Sequence, residues 1–218
     1  MKFSDRTDSP TGQRWSDLLR CEHHAAEVLA AHGVPASNTS IVEAGGRTFL
    51  EVTRFDRTDV LGRQGLVSLR ALDAAFHGRG RADWWRHAPQ LERDGWIDAP
   101  DAERLRTLGL FGALIGNTDM HLGNVSLVLT DQRPFALAPA YDMLPMRFAP
   151  GPGGEIVARG LDVLPPTPDV QSAWTRAAAA AGAFWHRVAD DGRISASMRD
   201  IAADAARQIN SARARFAA

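Results

Sequence analysis

The chain has 218 residues, of which 44% are hydrophobic and 23% charged, with a formal net charge of -1. That is an ordinary globular composition, long enough for one large domain or two small lobes around a cleft, and the charge balance points to no broad electrostatic attraction to nucleic acid, leaving room only for a local basic patch. Cys21 is the only cysteine, which excludes an internal disulfide and a cysteine-built zinc site and fits a reducing cytosol. Met1 to Trp15 has no apolar core of signal-peptide type, and no segment is apolar for long enough to cross a bilayer. A cytoplasmic protein without membrane contact is expected.

In chain order, Met1 to Gly12 reads as a short apolar start followed by a loop. From Arg14 to His32, Trp15, Leu18, Leu19, Ala26 and Leu29 follow helical spacing, with Gly33 placed to end the helix and Pro35 to prevent its return. Thr39–Glu43 and Thr48–Val52 read as strands of a hairpin turning at Gly45-Gly46, because glycine accepts positive φ at no steric cost. The second strand runs into Arg54-Phe55-Asp56-Arg57. Beyond Gly65 the pattern is helical. Ser68 is placed to cap a helix through Phe76, and Trp84-Trp85 lie in a helical stretch broken near Pro89. Pro100 and Asp101 start a helix carrying Leu105, Leu108, Phe111, Leu114 and Ile115, apolar enough to be central and buried. Pro145 to Pro168 is rich in Gly and Pro and has no clear period. Two helices, Val170–Val188 and Ser195–Phe216, close the chain. The expected class is mainly α with small β-hairpins (α+β).

The segment Gly116-Asn117-Thr118-Asp119-Met120-His121-Leu122-Gly123-Asn124 lies between the buried helix and a strand, Val125–Leu129. Thr130–Pro134 reads as a turn, and a second strand, Phe135–Ala138, leads to Pro139-Ala140-Tyr141-Asp142. With the turn centred near Gln132, pairing brings Asn124 opposite residues near Ala140, with Asp142 just beyond. Asp119, Asn124 and Asp142 then gather at the open end of the hairpin.

An Asp followed five positions later by an Asn, then a strand pair and a second Asp, is the layout of a protein-kinase catalytic loop and its metal-binding Asp. Phosphoryl transfer needs a carboxylate to take the proton of the attacking hydroxyl, a role for Asp119. It also needs hard oxygen ligands for Mg²⁺, which Asn124 and Asp142 offer. Turn chemistry is the competing reading: Asn, Asp and Gly are common in turns, and Asp142 is placed to cap a helix starting at Met143. His121 is a donor near the phosphates or, more simply on the residues alone, a satisfied loop histidine. A hydrolytic metal centre of Asp119, His121 and Asp142 ranks lower, since no neighbouring ligand completes it.

Asn117-Thr118-Asp119-x-His121-x-x-Asn124, followed by Ala138-Pro139-Ala140-Tyr141-Asp142-Met143-Leu144, resembles the HipA-type toxin kinases of bacterial type II toxin–antitoxin modules. Arg54-Phe55-Asp56-Arg57 also resembles that family, as does Lys2-Phe3-Ser4, similar to its strand ending in a phosphate-contacting lysine. Glu22 stands where the family carries a Glu. The resemblance implies a protein-kinase-like C-lobe of HipA type with the N-lobe largely missing. Residues 1–56 would be a remnant of the N-terminal lobe and hinge, and 57–218 a helical catalytic lobe. It implies Asp119 as catalytic base, His121 near the transferred phosphate and Mg²⁺ on Asn124 and Asp142. ATP would lie against Lys2, Phe55 and Asp56. The implied activity is that of an ATP- and Mg²⁺-dependent serine/threonine protein kinase acting on a protein such as a translation factor, with a HipB-like DNA-binding antitoxin as partner. No glycine-rich phosphate loop is recognisable, so the alternative expectation is a catalytically incomplete kinase fold that binds such a partner.

Overall fold

The computed structural model describes residues 1–80 and 83–216. Strand β1 (Lys2–Phe3) precedes helix α1 (Pro10–Ala31), which begins earlier than its apolar spacing suggests. Ser9 caps it by accepting the Gly12 amide at 3.0 Å, and Pro10 occupies the first turn, where its missing N–H costs nothing. One side of α1 buries Leu18, Cys21, Ala25, Val28 and Leu29. Buried polar residues on α1 each find a partner, as buried charge requires. Arg14 donates to the Phe148 carbonyl at 3.1 Å, and Arg20 to Glu43 at 2.5 Å. Asp17, wholly buried, accepts from the Ser195 amide at 3.0 Å and its hydroxyl at 2.5 Å.

Strands β2 (Thr39–Ala44) and β3 (Arg47–Val52) form the expected hairpin, with Gly45 and Gly46 at φ 58° and 70°. Strand β1 adds antiparallel to β3, with Lys2 opposite Leu50, giving the order β1-β3-β2. Strands β4 (Arg57–Thr58) and β5 (Gly62–Arg63) make a small second hairpin. Strand β6 (Leu66–Ser68) falls where the helical pattern was expected to take over. Three residues carry no readable period, and its partner strand comes much later in the chain.

Ser68 caps α2 (Leu69–Leu72) as expected, accepting the Ala71 amide at 3.2 Å. The helix anticipated through Phe76 continues only as a π-helical turn over Asp73–His77. The Asp73 carboxylate draws the chain back by accepting the amides of Arg79 and Gly80 at 3.1 and 2.8 Å. Helix α3 (Trp84–Arg93) runs through Pro89 instead of breaking there. Pro89 faces solvent while Trp84, His87, Ala88 and Leu91 bury the opposite face, and that packing outweighs the lost helical bond. Helix α4 (Ala99–Leu114) is the expected central helix, started by Asp98, whose carboxylate accepts the Asp101 amide at 2.8 Å.

Strands β7 (Ser126–Val128) and β8 (Ala136–Leu137) follow, with Leu127 opposite Leu137, and β7 is the middle strand of the sheet β6-β7-β8. Asp101, buried near the start of α4, accepts the Leu137 amide at 2.7 Å and so pins β8 to that helix. The Gly/Pro-rich stretch contains one 3-10 turn, Met146–Phe148, and is otherwise irregular up to a second at Pro168–Val170. Helices α5 (Gln171–Asp190) and α6 (Ala196–Phe216) close the chain, burying Trp174, Phe184 and Trp185. No helix among the described residues is long and apolar enough to cross a membrane.

Asp191, between α5 and α6, ties that corner to α1. It accepts from His24 Nε2 at 2.9 Å and from the Arg193 guanidinium at 2.9 and 2.8 Å. The Arg193 hydrogen bonds hold its carboxyl well below the usual value of 3.8 against the opposing effect of burial. A depressed folded-state pKa means stability that is complete above the ordinary value and lost as the pH falls through the folded one. Asp191→Asn is therefore expected to flatten the acid side of a urea-unfolding pH profile below pH 3.8. An unchanged acid limb would contradict this.

Candidate active site

The end of α4 sets the site. Gly116 donates to the Ala113 carbonyl at 3.1 Å and Asn117 to the Gly112 carbonyl at 2.9 Å, a paired closure that needs a left-handed residue, and Gly116 supplies it at φ 73°. The chain leaves the helix with Asn117 turned inward and buried. Gly112, one turn earlier, lets the loop settle on α4, since a Cβ there would stand 2.5 Å from Met120 Sδ and 3.0 Å from Met143 Cε.

The loop and the segment after β8 are joined by side chains. Asn117 Nδ2 donates to the Asp142 carbonyl at 3.1 Å, and Asn117 Oδ1 accepts the Asp119 amide at 3.0 Å. Asn124 Nδ2 donates to the Asp119 carbonyl at 3.1 Å. The Tyr141 hydroxyl donates to the Gly123 carbonyl at 3.1 Å and lies 3.0 Å from Ser126 Oγ. The Asp119–Asn124 loop and Asp142 therefore meet at the open end of the β7–β8 hairpin. No helix starts at Met143, so Asp142 is not a helix cap there; the next helical turn begins at Met146. Asp142 has φ 55°, a left-handed conformation uncommon outside glycine and concentrated at functional sites.

Lys2 reaches this corner from β1. Its ammonium lies 2.7 Å from both carboxylate oxygens of Glu22 on α1 and also contacts the Asp142 carboxylate. Burial opposes the charge on Lys2, but the two carboxylates outweigh it and hold its pKa above the ordinary value. Beside it opens a cleft of about 520 Å³ lined by Lys2, Glu22, Ser37, Phe55, Asp56 and Asp142, with Val52, Leu66 and Tyr141 among its other walls. The Phe55 ring is stacked at a tilt on Tyr141, centroids 5.8 Å apart. Asp56 is forked onto Arg54 at 2.6 and 2.5 Å, which holds its carboxyl below the usual range.

Lys2, Phe55, Asp56 and Asp142 thus surround one cleft. Asp119, His121 and Asn124 stand on the adjoining loop outside its lining, Asp119 and His121 exposed. His121 Nδ1 accepts the Gly123 amide at 3.1 Å, a local turn contact. Among the described residues no group of three or more His, Cys, Asp or Glu is placed to hold a metal ion, which leaves the hydrolytic centre without a ligand set. Sequence reasoning missed Ser37, whose buried hydroxyl lines the cleft without a hydrogen-bond partner and which no local pattern marks. It also gave no role to Asn117 or Tyr141, although both stand inside the recognised motifs.

The HipA-like C-terminal domain model matches residues 1–213. The chain belongs to that family. This HipA-like domain is 36% identical over 210 residues to Toxin YjjJ of Escherichia coli (strain K12), covering 96% of this chain and 47% of that protein, so it spans about half of that relative's length. A shorter stretch of 43 residues is 58% identical to the putative kinase Y4dM of Sinorhizobium fredii, covering 20% of this chain and 10% of that protein. In structure the HipA-like domain is similar to a chain of the Shewanella oneidensis MR-1 complex of HipA, HipB and operator DNA. The TM-score is 0.63 at 19% identity, over 92% of this chain and 56% of that one. It is also similar to the Helicobacter pylori proinflammatory kinase CtkA, with a TM-score of 0.57 at 11% identity, over 92% and 80% of the two chains. The fold is the helical, kinase-like portion of the HipA type with small antiparallel sheets, as expected from the sequence.

Lys2→Met leaves the Glu22 carboxylate, with 6% of its side chain exposed, facing Asp142 without its cation. Removing one partner of a buried pair costs roughly 3–5 kcal/mol. Because the Lys2 side chain is 39% exposed, a smaller loss of about 1–3 kcal/mol is expected in urea unfolding. Adding Glu22→Gln should return part of it, and a double variant no more stable than Lys2→Met would refute the pairing.

Proposed function

We propose that this HipA-like domain is the phosphoryl-transferring unit of a HipA-type toxin, an ATP- and Mg²⁺-dependent serine/threonine protein kinase. The observation that carries the reading is the link, through Asn117, between the Asp119 loop and an Asp142 that lines a cleft with Lys2, Phe55 and Asp56. The cleft fits a nucleotide: Phe55, Val52 and Leu66 give an apolar wall for a base, and Lys2 gives a cation for phosphate oxygens. Asp56, which lines the cleft forked onto Arg54, would also accept from a ribose hydroxyl. The available donors, the Asp142 carboxylate and the Asn124 amide oxygen, are hard oxygens of the kind Mg²⁺ takes alongside water and phosphate. When bound, Mg²⁺ would neutralise charge on the phosphates. Asp119 would orient the substrate hydroxyl and take its proton, while His121 would face the phosphate being transferred. Residues 1–56 would belong to an upper lobe and hinge, and 57–218 would form the catalytic lobe.

The HipB in the structural relative supports a HipB-like antitoxin as partner, and the expected substrate is a cytoplasmic protein such as a translation factor. A non-catalytic reading, in which the domain only binds its partner, is favoured by the direct contact of Lys2 with Asp142, which neutralises that carboxylate without a metal.

Phosphate incorporation from labelled ATP with Mg²⁺, assayed for the 218 residues and with any sequence encoded ahead of Met1, separates the two. Asp119→Ala is expected to lower incorporation by about 10²-fold or more, the scale of a lost general base; equal incorporation by wild type and variant would refute the kinase reading. ATP with Mg²⁺ should raise the unfolding temperature by mass action. Asp142→Asn, which keeps the left-handed backbone accessible, should abolish that rise.

A further inference from the structure

Asn117 carries more of the site than its place beside Asp119 suggests. It is 6% exposed, and its amide is divided between two chain segments. The nitrogen serves the Asp142 carbonyl at 3.1 Å and the oxygen serves the Asp119 amide at 3.0 Å, while the Asn117 backbone amide is fixed to Gly112 on α4 at 2.9 Å. One rigid helix end therefore addresses both acidic residues through a single side chain. The residues it holds need holding. Asp142 sits in the left-handed region at φ 55°, a conformation that aspartate tolerates better than most residues but that still favours glycine. Asp119 is exposed on a loop without regular structure.

Only an amide of this length meets both demands. A carboxylate in its place has no hydrogen to give the Asp142 carbonyl and adds a third negative charge beside Asp119 and Asp142. An aliphatic side chain takes the partner from both the Asp119 amide and the Asp142 carbonyl, each of them part-buried.

We infer that Asn117 is a positioning residue that sets the separation of Asp119 and Asp142 by bridging the loop and the post-β8 segment. Its catalytic consequence rests on the kinase reading above; the bridge itself does not. Asn117 touches neither substrate nor metal in this role and acts through the two aspartates.

Amide hydrogen exchange on the full chain tests the bridge without any activity. Asn117→Ala should speed exchange in both the Asp119 loop and residues 141–144. Asn117→Asp, isosteric and the variant to rely on should the alanine protein not fold, keeps the acceptor for Asp119 and should speed exchange mainly in 141–144. Faster exchange in the Asp119 loop alone, or in neither segment, overturns the inference. In the kinase assay, Asn117→Asp should lower kcat by about 10-fold or more and raise the Mg²⁺ concentration for half-maximal rate by about 10-fold, because the misplaced group is the metal-facing Asp142. Loss of rate with an unchanged Mg²⁺ requirement would mark Asn117 as merely structural. A wild type that transfers no phosphate would overturn the kinase reading, with the exchange pattern still deciding the bridge.

Discussion

A carboxylate on the buried face of a helix has to meet a cation or hydrogen-bond donors, or give up its charge. Glu22 on α1 meets Lys2, carried in by the short edge strand β1, and that one ion pair organises the upper part of the molecule. It fixes β1 against α1, and β1 in turn is laid on β3 with Lys2 opposite Leu50. Because the same ammonium also touches Asp142, 140 positions further on, the small sheet and the hairpin loop of the helical half share one anchor. The cleft is the space left between them.

Below that anchor, the loop from Asn117 to Asn124 holds its shape with almost no regular structure. Its rigidity comes from side chains that take up backbone groups: Asn117 for Asp119 and Asp142, Asn124 for Asp119, and Tyr141 for Gly123. The group that does this at the buried position is the neutral amide of Asn117, while the charged Asp119 stands exposed. Desolvation makes a charge buried at that position, beside two aspartates, far more costly than an amide. Elsewhere buried carboxylates also take up backbone groups: Asp17 and Asp101 those of distant segments, and Asp73 the amides just beyond its own π-helical turn.

The helical half was readable because its signals are local. Pro100 and Asp101 at the start of α4, and the apolar period of α5 and α6, depend on neighbours within a few turns. The β7–β8 register followed from a turn centred on Gln132, and Leu127 does pair with Leu137. What failed was non-local or too short. Strand β6 exists because β7 lies beside it, α3 survives Pro89 because its opposite face is buried, and the π-helical turn answers amides beyond the helix end. The Ser9-Pro10 start of α1 was present in the sequence but was outweighed there by the apolar spacing. At the site, Asp119, Asn124 and Asp142 were legible as a pattern of spacing. Lys2 and Phe55 were legible only through family resemblance. The orphaned hydroxyl of Ser37 was not legible at all, because its burial arises where distant segments cross.

The paired closure at Gly116 makes α4 a ruler. Each residue of a helix turns the chain by about 100° and advances it about 1.5 Å, so a single insertion between Pro100 and Gly116 would swing Asn117 away from the post-β8 segment while leaving the helix itself intact. The exposed turn at 130–134 has no such gearing, and lengthening it costs only loop entropy. Length variation across natural versions of this domain should therefore collect in that turn and be nearly absent from α4, a spacing rule that operates even where residue identity drifts.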